Sequence, residues 1–124
     1  MTNSQTALKI DVRRLKEADL DAADRLVRNA FATFIGIPEE NFCPGEHQAA
    51  HWWVEPEGAF GAFENEELAG VLLVTTWGKF GYFGPLTISP KHWNKGIAQK
   101  LLAECDKYFH ERQVTATGLY TCSQ

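Results

Sequence analysis

The stretch FGPLTISPKHWNKGIAQKLL, residues 83–102, constrains the fold more than any other part of the chain. Its first half is apolar in the manner of a strand. From Gly96 onward the apolar residues take helical spacing. Ala98, Leu101, Leu102, Cys105 and Phe109 form the inner stripe of that helix, which the pattern carries to about Gln113. Only PKHW connects the strand to the cluster where the helix begins. A further strand-like run, VTATGLYTC, follows. A strand, a helix and a strand joined this tightly return as a parallel pair with a right-handed crossover. Gly84-Pro85 interrupts the first strand. Proline offers the ladder no donor, so a bulge is expected there.

The preceding residues supply the rest of a sheet. ALKIDVRR alternates, with Leu8, Ile10 and Val12 on one face. EADLDAADRLVRNAFATF places Leu20, Ala23, Val27, Ala30, Phe31 and Phe34 at helical spacing. IGIPEENFCPG is a loop, and EHQAAHWWV predicts a short second helix. GAFGAFEN and ELAGVLLVTTW are strands on either side of a turn at Asn65-Glu66. The order is strand, helix, helix, three strands, helix, strand. It predicts an α/β (α+β) sandwich: a mixed, mostly antiparallel sheet with helices on its faces. Residues 1–7 form a polar tail, and residues 8–124 one domain.

With 44% hydrophobic residues the chain can build a packed core. A formal net charge of -4 argues against nucleic acid, which needs a basic face. No apolar run approaches the ~18–20 residues of a membrane span, and the start lacks the regions of a secretion signal. Cys43, Cys105 and Cys122 are an odd, sparse set, expected as reduced thiols in the cytoplasm.

A glycine at the mouth of the second long helix asks for a reason, since glycine costs a helix about 1 kcal/mol relative to alanine. The first turn of a helix exposes amide groups without helical acceptors, and these suit an anion. Gly96 has no Cβ and Ala98 a small one, so the turn leaves its backbone bare. Lys95 and Lys100 add positive charge. Hydrogen bonds to charged oxygens contribute ~1.5–3 kcal/mol each, so two or three outweigh the glycine penalty. The stretch is readable as a cradle for a diphosphate. Packing alone also places glycine at many helix starts.

Strand, proline, connector and glycine-opened helix together resemble the GNAT superfamily of acyl-CoA-dependent N-acyltransferases. FGPLTISPKHWNKGIAQKLLAECDKYF is similar to that family's acyl-CoA motif, in which Q/R-x-x-G-x-G/A leads into a Leu-rich helix. IDVRRLKEADLDAADRLVRNAF and GAFGAFENEELAGVLLV resemble its first helix and its early strands. The resemblance implies a GNAT-like fold and acetyl-CoA as cosubstrate. It implies that Asn94, Lys95, Gly96, Ala98 and Gln99 receive the pyrophosphate, with Ile97 and Lys100 nearby. It implies that the backbone of Leu86, Thr87 and Ile88 binds the pantetheine arm. Two departures stand out. Trp93 occupies the place of the motif's Gln or Arg. The family also continues past its fifth strand with a further helix and two strands, often carrying a tyrosine that protonates the leaving thiolate. Here the sequence stops at GLYTCSQ, and Tyr120 does not match that tyrosine. The expectation is a GNAT-like domain lacking its carboxy-terminal segment.

The implied activity is acetyl transfer from acetyl-CoA to the amine of a small molecule or peptide. The catalytic base stays unassigned: YFGPLTIS holds no carboxylate, and Tyr82 and Thr87 are its only serviceable groups. A non-catalytic acyl-CoA-binding or protein-interaction module is the rival, and a redox or metal protein a weaker third. Cys43, His47 and His51 stand at four-residue spacing, but no second ligand cluster accompanies them, so no metal is expected. Trp52 and Trp53 are expected to pack in the core and at its edge, and His92 to be a turn residue. Cys105 is expected buried and inert, Cys122 a free thiol. Glu39, Glu40, Glu46, Glu55 and Glu57 suggest an acidic rim that attracts a protonated amine, with solvated loop carboxylates the plainer account. A sheet ending at its fifth strand leaves an open edge, which predicts a homodimer covering that edge. Light scattering at micromolar concentration should return twice the monomer mass; a clean monomer contradicts the expectation.

Overall fold

A computed structural model of the protein describes residues 10–41, 43–47 and 49–119. The chain forms β1 (Ile10–Arg14), α1 (Leu20–Ile35), β2 (Ala59–Glu64), β3 (Glu67–Trp77), β4 (Phe80–Ile88), α2 (Ile97–Glu111) and β5 (Ala116–Leu119). The five-stranded sheet has the order β1-β2-β3-β4-β5. β1 to β4 are an antiparallel meander, and β4 pairs with β5 in parallel. Mixed sheet, turn and crossover are those the sequence predicts. Asn65 and Glu66 both take positive φ in the β2–β3 turn, as a tight hairpin requires.

The predicted helix in EHQAAHWWV does not form. Its place is taken by a single 3-10 turn at Ala50–Trp53. Trp52 explains the arrest: its indole Nε1–H donates to the Leu15 carbonyl at 2.9 Å, and a ring committed to a neighbouring segment fixes this one as a connector. Trp53 is exposed. His51 lies outside the residues whose side chains are described, as do Leu8, Tyr120 and Cys122 altogether.

The helices cover opposite faces of the sheet. On one face Leu20, Ala23, Leu26 and Val27 of α1 meet Leu15, Ala59, Phe63, Val71 and Leu73. On the other, Ile97, Leu101, Cys105, Tyr108 and Phe109 of α2 meet Phe60, Ala62, Ala69, Leu72 and Val74. Leu72 and Val74 thus point one way and Val71 and Leu73 the other, as strand alternation demands. The stripe of α2 is turned slightly from the predicted one, with Ala98 and Leu102 at its half-buried margin and Tyr108 inside. Phe34 was expected in the stripe of α1 and is exposed instead: residues 33–38 all face solvent, so the last turn stands clear of the sheet.

The predicted bulge is present. Leu72 pairs with Leu86 and Val74 with Phe83, so Leu73 alone opposes Gly84 and Pro85. Beyond it, Ser89 N–H donates to the Ala69 carbonyl at 2.8 Å, and the strand resumes its pairing.

Glu55 ties α2 to the sheet. Its Oε1 accepts the Thr76 N–H at 3.0 Å. Its Oε2 accepts the Thr76 hydroxyl at 2.8 Å and the Tyr108 hydroxyl at 2.7 Å. Burial, then the bond to Glu55, pushes the Tyr108 phenol well above its ordinary value of 10.0. A raised phenol stabilises the fold below its unfolded value, and that contribution fades as pH climbs toward the folded one. Tyr108→Phe should therefore lose about 1–2 kcal/mol at neutral pH in denaturant titration. The parent's stability should also decline above pH ~10 more steeply than the variant's. Parallel decline in both proteins would remove the Glu55–Tyr108 bond from the account.

Candidate functional site

Between β4 and α2 the chain turns twice. A 3-10 turn at Pro90–His92 is closed by His92 N–H on the Ser89 carbonyl at 2.8 Å. The next residues change hand, with φ of 64 at Asn94 and 76 at Gly96. Gly96 is the N-cap, and α2 proper starts at Ile97. The glycine therefore lies just outside the helix and escapes the interior penalty. A Cβ there would meet only Gln99 Oε1, at 3.5 Å. What reserves the position for glycine in the unliganded chain is the left-handed backbone, which costs other residues ~1–2 kcal/mol.

The turn opens a cleft of about 540 Å³ lined by Ile88, His92, Trp93, Asn94, Lys95, Gly96, Ile97, Ala98, Gln99 and Leu102. It thus gathers most of the sequence-predicted residues. Leu86, Thr87 and Lys100 lie outside its wall. Lys100 N–H closes the first helical turn on the Gly96 carbonyl at 3.4 Å, so its amide is committed. The amides of Ile97, Ala98 and Gln99 have no helical acceptor, and among the described residues no side chain caps them. Lys95 and Lys100 are exposed and unpaired with any carboxylate among the described residues. Lys91 is bound to Glu67, whose carboxyl this bond holds below its usual value. Bare amides, a helix start and a free lysine at one cleft fit an anion.

Two features of the cleft escaped sequence reasoning. His92 is buried, with Nε2 2.7 Å from Glu64 Oε1 at the end of β2. Its Nδ1 is buried without a partner among the described residues. Trp93 donates its indole N–H to the Ile88 carbonyl at 2.8 Å. No local signal announces either contact, since Glu64 lies in another strand and an indole leaves no mark of its acceptor.

In β4 backbone direction alternates. The Ser89–Ala69 bond turns Ser89 toward β3, so Thr87 also faces β3, and the N–H and C=O of Leu86 and Ile88 point away from it. The side chains of Tyr82 and Thr87 stand opposite Thr75 and Val71, on the face that α1 covers. Thr87 is buried, and its hydroxyl has no partner among the described residues.

The expected acidic rim is partly dismantled by the fold. Glu55 holds Thr76 and Tyr108. Glu57 pairs with Arg112 at 3.0 Å. Cys105 is buried, and burial, then Asp106, pushes its thiol up to about 11, beyond nucleophilic use. A second groove of about 500 Å³, along α2 and Val114–Thr117, presents Asp106 and Glu111 beside Lys107 and does not suit an anion. Among the described residues no three His, Cys, Asp or Glu side chains gather as a metal site. None of their helices is long and apolar enough to cross a membrane.

Comparison with known proteins bears on the same elements. Residues 24–123 match the profile of the Acetyltransferase (GNAT) family. None of the curated proteins matches the chain. Among solved structures, the PaiA N-acetyltransferase of Thermoplasma acidophilum, in complex with coenzyme A, superimposes with a TM-score of 0.79 at 20% identity, over 94% of this chain and 82% of that one. A GNAT family acetyltransferase from Brucella melitensis, in complex with acetyl-CoA, gives 0.70 at 13%, over 94% and 79%. An aminoglycoside acetyltransferase from an uncultured soil metagenomic sample gives 0.68 at 17%, over 91% and 78%. At such identities the structural likeness is one of fold. Because the family profile spans most of the sequence, including the cleft and both of its flanking elements, the chain belongs to the GNAT acetyltransferase family.

Proposed function

We propose that this chain is an N-acetyltransferase that binds acetyl-CoA and passes its acetyl group to an amine. Family membership supports the reaction class, and fold neighbours holding coenzyme A or acetyl-CoA support the cosubstrate. The observation that carries the reading is the left-handed entry into α2, which leaves the amides of Ile97, Ala98 and Gln99 uncapped in a cleft beside unpaired Lys95. Asn94 to Gln99 hold the diphosphate, and Lys100 adds charge one turn on. Leu86 and Ile88 offer outward backbone groups to the extended arm, with Thr87 between them.

Chemistry then falls at the bulge. Peptide N–H groups of the irregular strand polarise the thioester carbonyl, as donors aimed at a developing oxyanion do. The acceptor amine loses its proton before it attacks. Tyr82 and Thr87 are the polar side chains of β4 on the α1 face. The chain acts as a homodimer in the cytoplasm.

Calorimetry with acetyl-CoA tests the placement. The parent should bind, and Gly96→Val should bind about tenfold more weakly or worse, because a β-branched residue resists the left-handed turn. A thermal melt checks that the variant is folded. Equal affinity for both proteins sinks the diphosphate placement. Release of coenzyme A with a panel of amines separates the enzyme from the non-catalytic module, which binds without turnover.

A further inference from the structure

Trp93 and His92 are adjacent in sequence and opposite in circumstance. His92 is 3% exposed and fastened to Glu64, whereas Trp93 is 44% exposed and its indole is held by the Ile88 carbonyl. Its backbone adds a 3.3 Å bond from Trp93 N–H to the Pro90 carbonyl. The loop is therefore anchored at His92 while the indole lies at the cleft surface on one polar contact. That contact is to Ile88, whose carbonyl points away from β3 and lines the cleft. A ligand with an extended, amide-bearing arm pairs with such an outward strand edge as an added strand does. Here the acceptor it needs is already taken.

We propose that Trp93 sets the affinity of this cleft: its indole N–H occupies the Ile88 carbonyl in the free protein, and a coenzyme A-type ligand binds by displacing it. This rests on the reading above that the diphosphate lies at Asn94 to Gln99. The displaced ring swings toward solvent, and the His92–Glu64 pair keeps the loop where the amides remain aligned. The ligand gains one strand acceptor and the protein loses one hydrogen bond, so the exchange weakens binding relative to a chain without the indole donor.

Trp93→Phe tests this, since it keeps a ring and removes the donor. Calorimetry with coenzyme A should show binding about two- to tenfold tighter in the variant, the worth of one net hydrogen bond. In the ¹⁵N-labelled parent, the indole N–H resonance missing from the variant belongs to Trp93. At saturating coenzyme A it should shift and exchange faster with water. Equal or weaker binding by the variant overturns the proposal, as does an indole resonance unmoved at saturation. Absence of coenzyme A binding in both proteins overturns the functional reading itself, and the displacement with it.

Discussion

β4 has to pair antiparallel with β3 on one side and parallel with β5 on the other, and that double obligation organises the rest of the molecule. A parallel neighbour obliges the chain to leave one end of β4 and travel back to the other before β5 can begin. α2, at 15 residues, makes that return, covering ~22 Å at ~1.5 Å per residue. Its first turn is thereby fixed beside the end of β4, and its last beside the start of β5. The uncapped amides of Ile97 to Gln99 stand next to Ile88 for this topological reason. A mostly antiparallel sheet has this arrangement at only one place, where the meander gives way to a crossover.

The field in the cleft is local. The chain as a whole is acidic, Lys91 near the cleft is neutralised by Glu67, and the His92 ring is hydrogen-bonded to Glu64. What remains is Lys95, Lys100 and the partial charge of the helix start. Exposed lysines are screened within ~8–10 Å in physiological salt, whereas amides fixed by a left-handed turn pay no reorganisation when an anion arrives. In the proposed placement of the diphosphate, backbone geometry thus carries more of the recognition than side-chain charge.

Much of this was legible beforehand because periodicity and turn chemistry report local backbone states. The alternation of β1, the stripes of α1 and α2, the Asn65-Glu66 turn and the bulge at Gly84-Pro85 are each written within a few residues. The failures share a different character. EHQAAHWWV has a helical pattern, but Trp52 finds its partner at Leu15, far away in sequence. Phe34 continues a periodic stripe past the point where a sheet lies beneath it. Glu55 looks like a solvent-facing rim carboxylate until Thr76 and Tyr108 are seen around it. His92–Glu64 is likewise a tertiary contact, and Trp93–Ile88, though only five positions apart, depends on the path of the turn between them. At Gly96 the sequence identified the position, and the structure adds a second reason for glycine there, the hand of the backbone.

The distribution of charge that remains has a consequence for the proposed reaction. With Glu55 and Glu57 committed, the acidity attributed to a rim is left on the loop after α1, at Glu39 and Glu40. Arg28 holds that loop by donating to the Cys43 and Glu46 carbonyls, and Glu39 accepts from Asn29 at 3.3 Å. A protonated amine drawn to these carboxylates arrives on the α1 side of the sheet. Tyr82 and the Thr87 hydroxyl, buried and without a partner among the described residues, project to that same side. The uncapped amides proposed to hold the diphosphate instead belong to α2, which packs on the opposite face. Two substrates approaching from opposite faces meet only where β4 interrupts its ladder, and Gly84-Pro85, opposed by Leu73 alone, is that interruption.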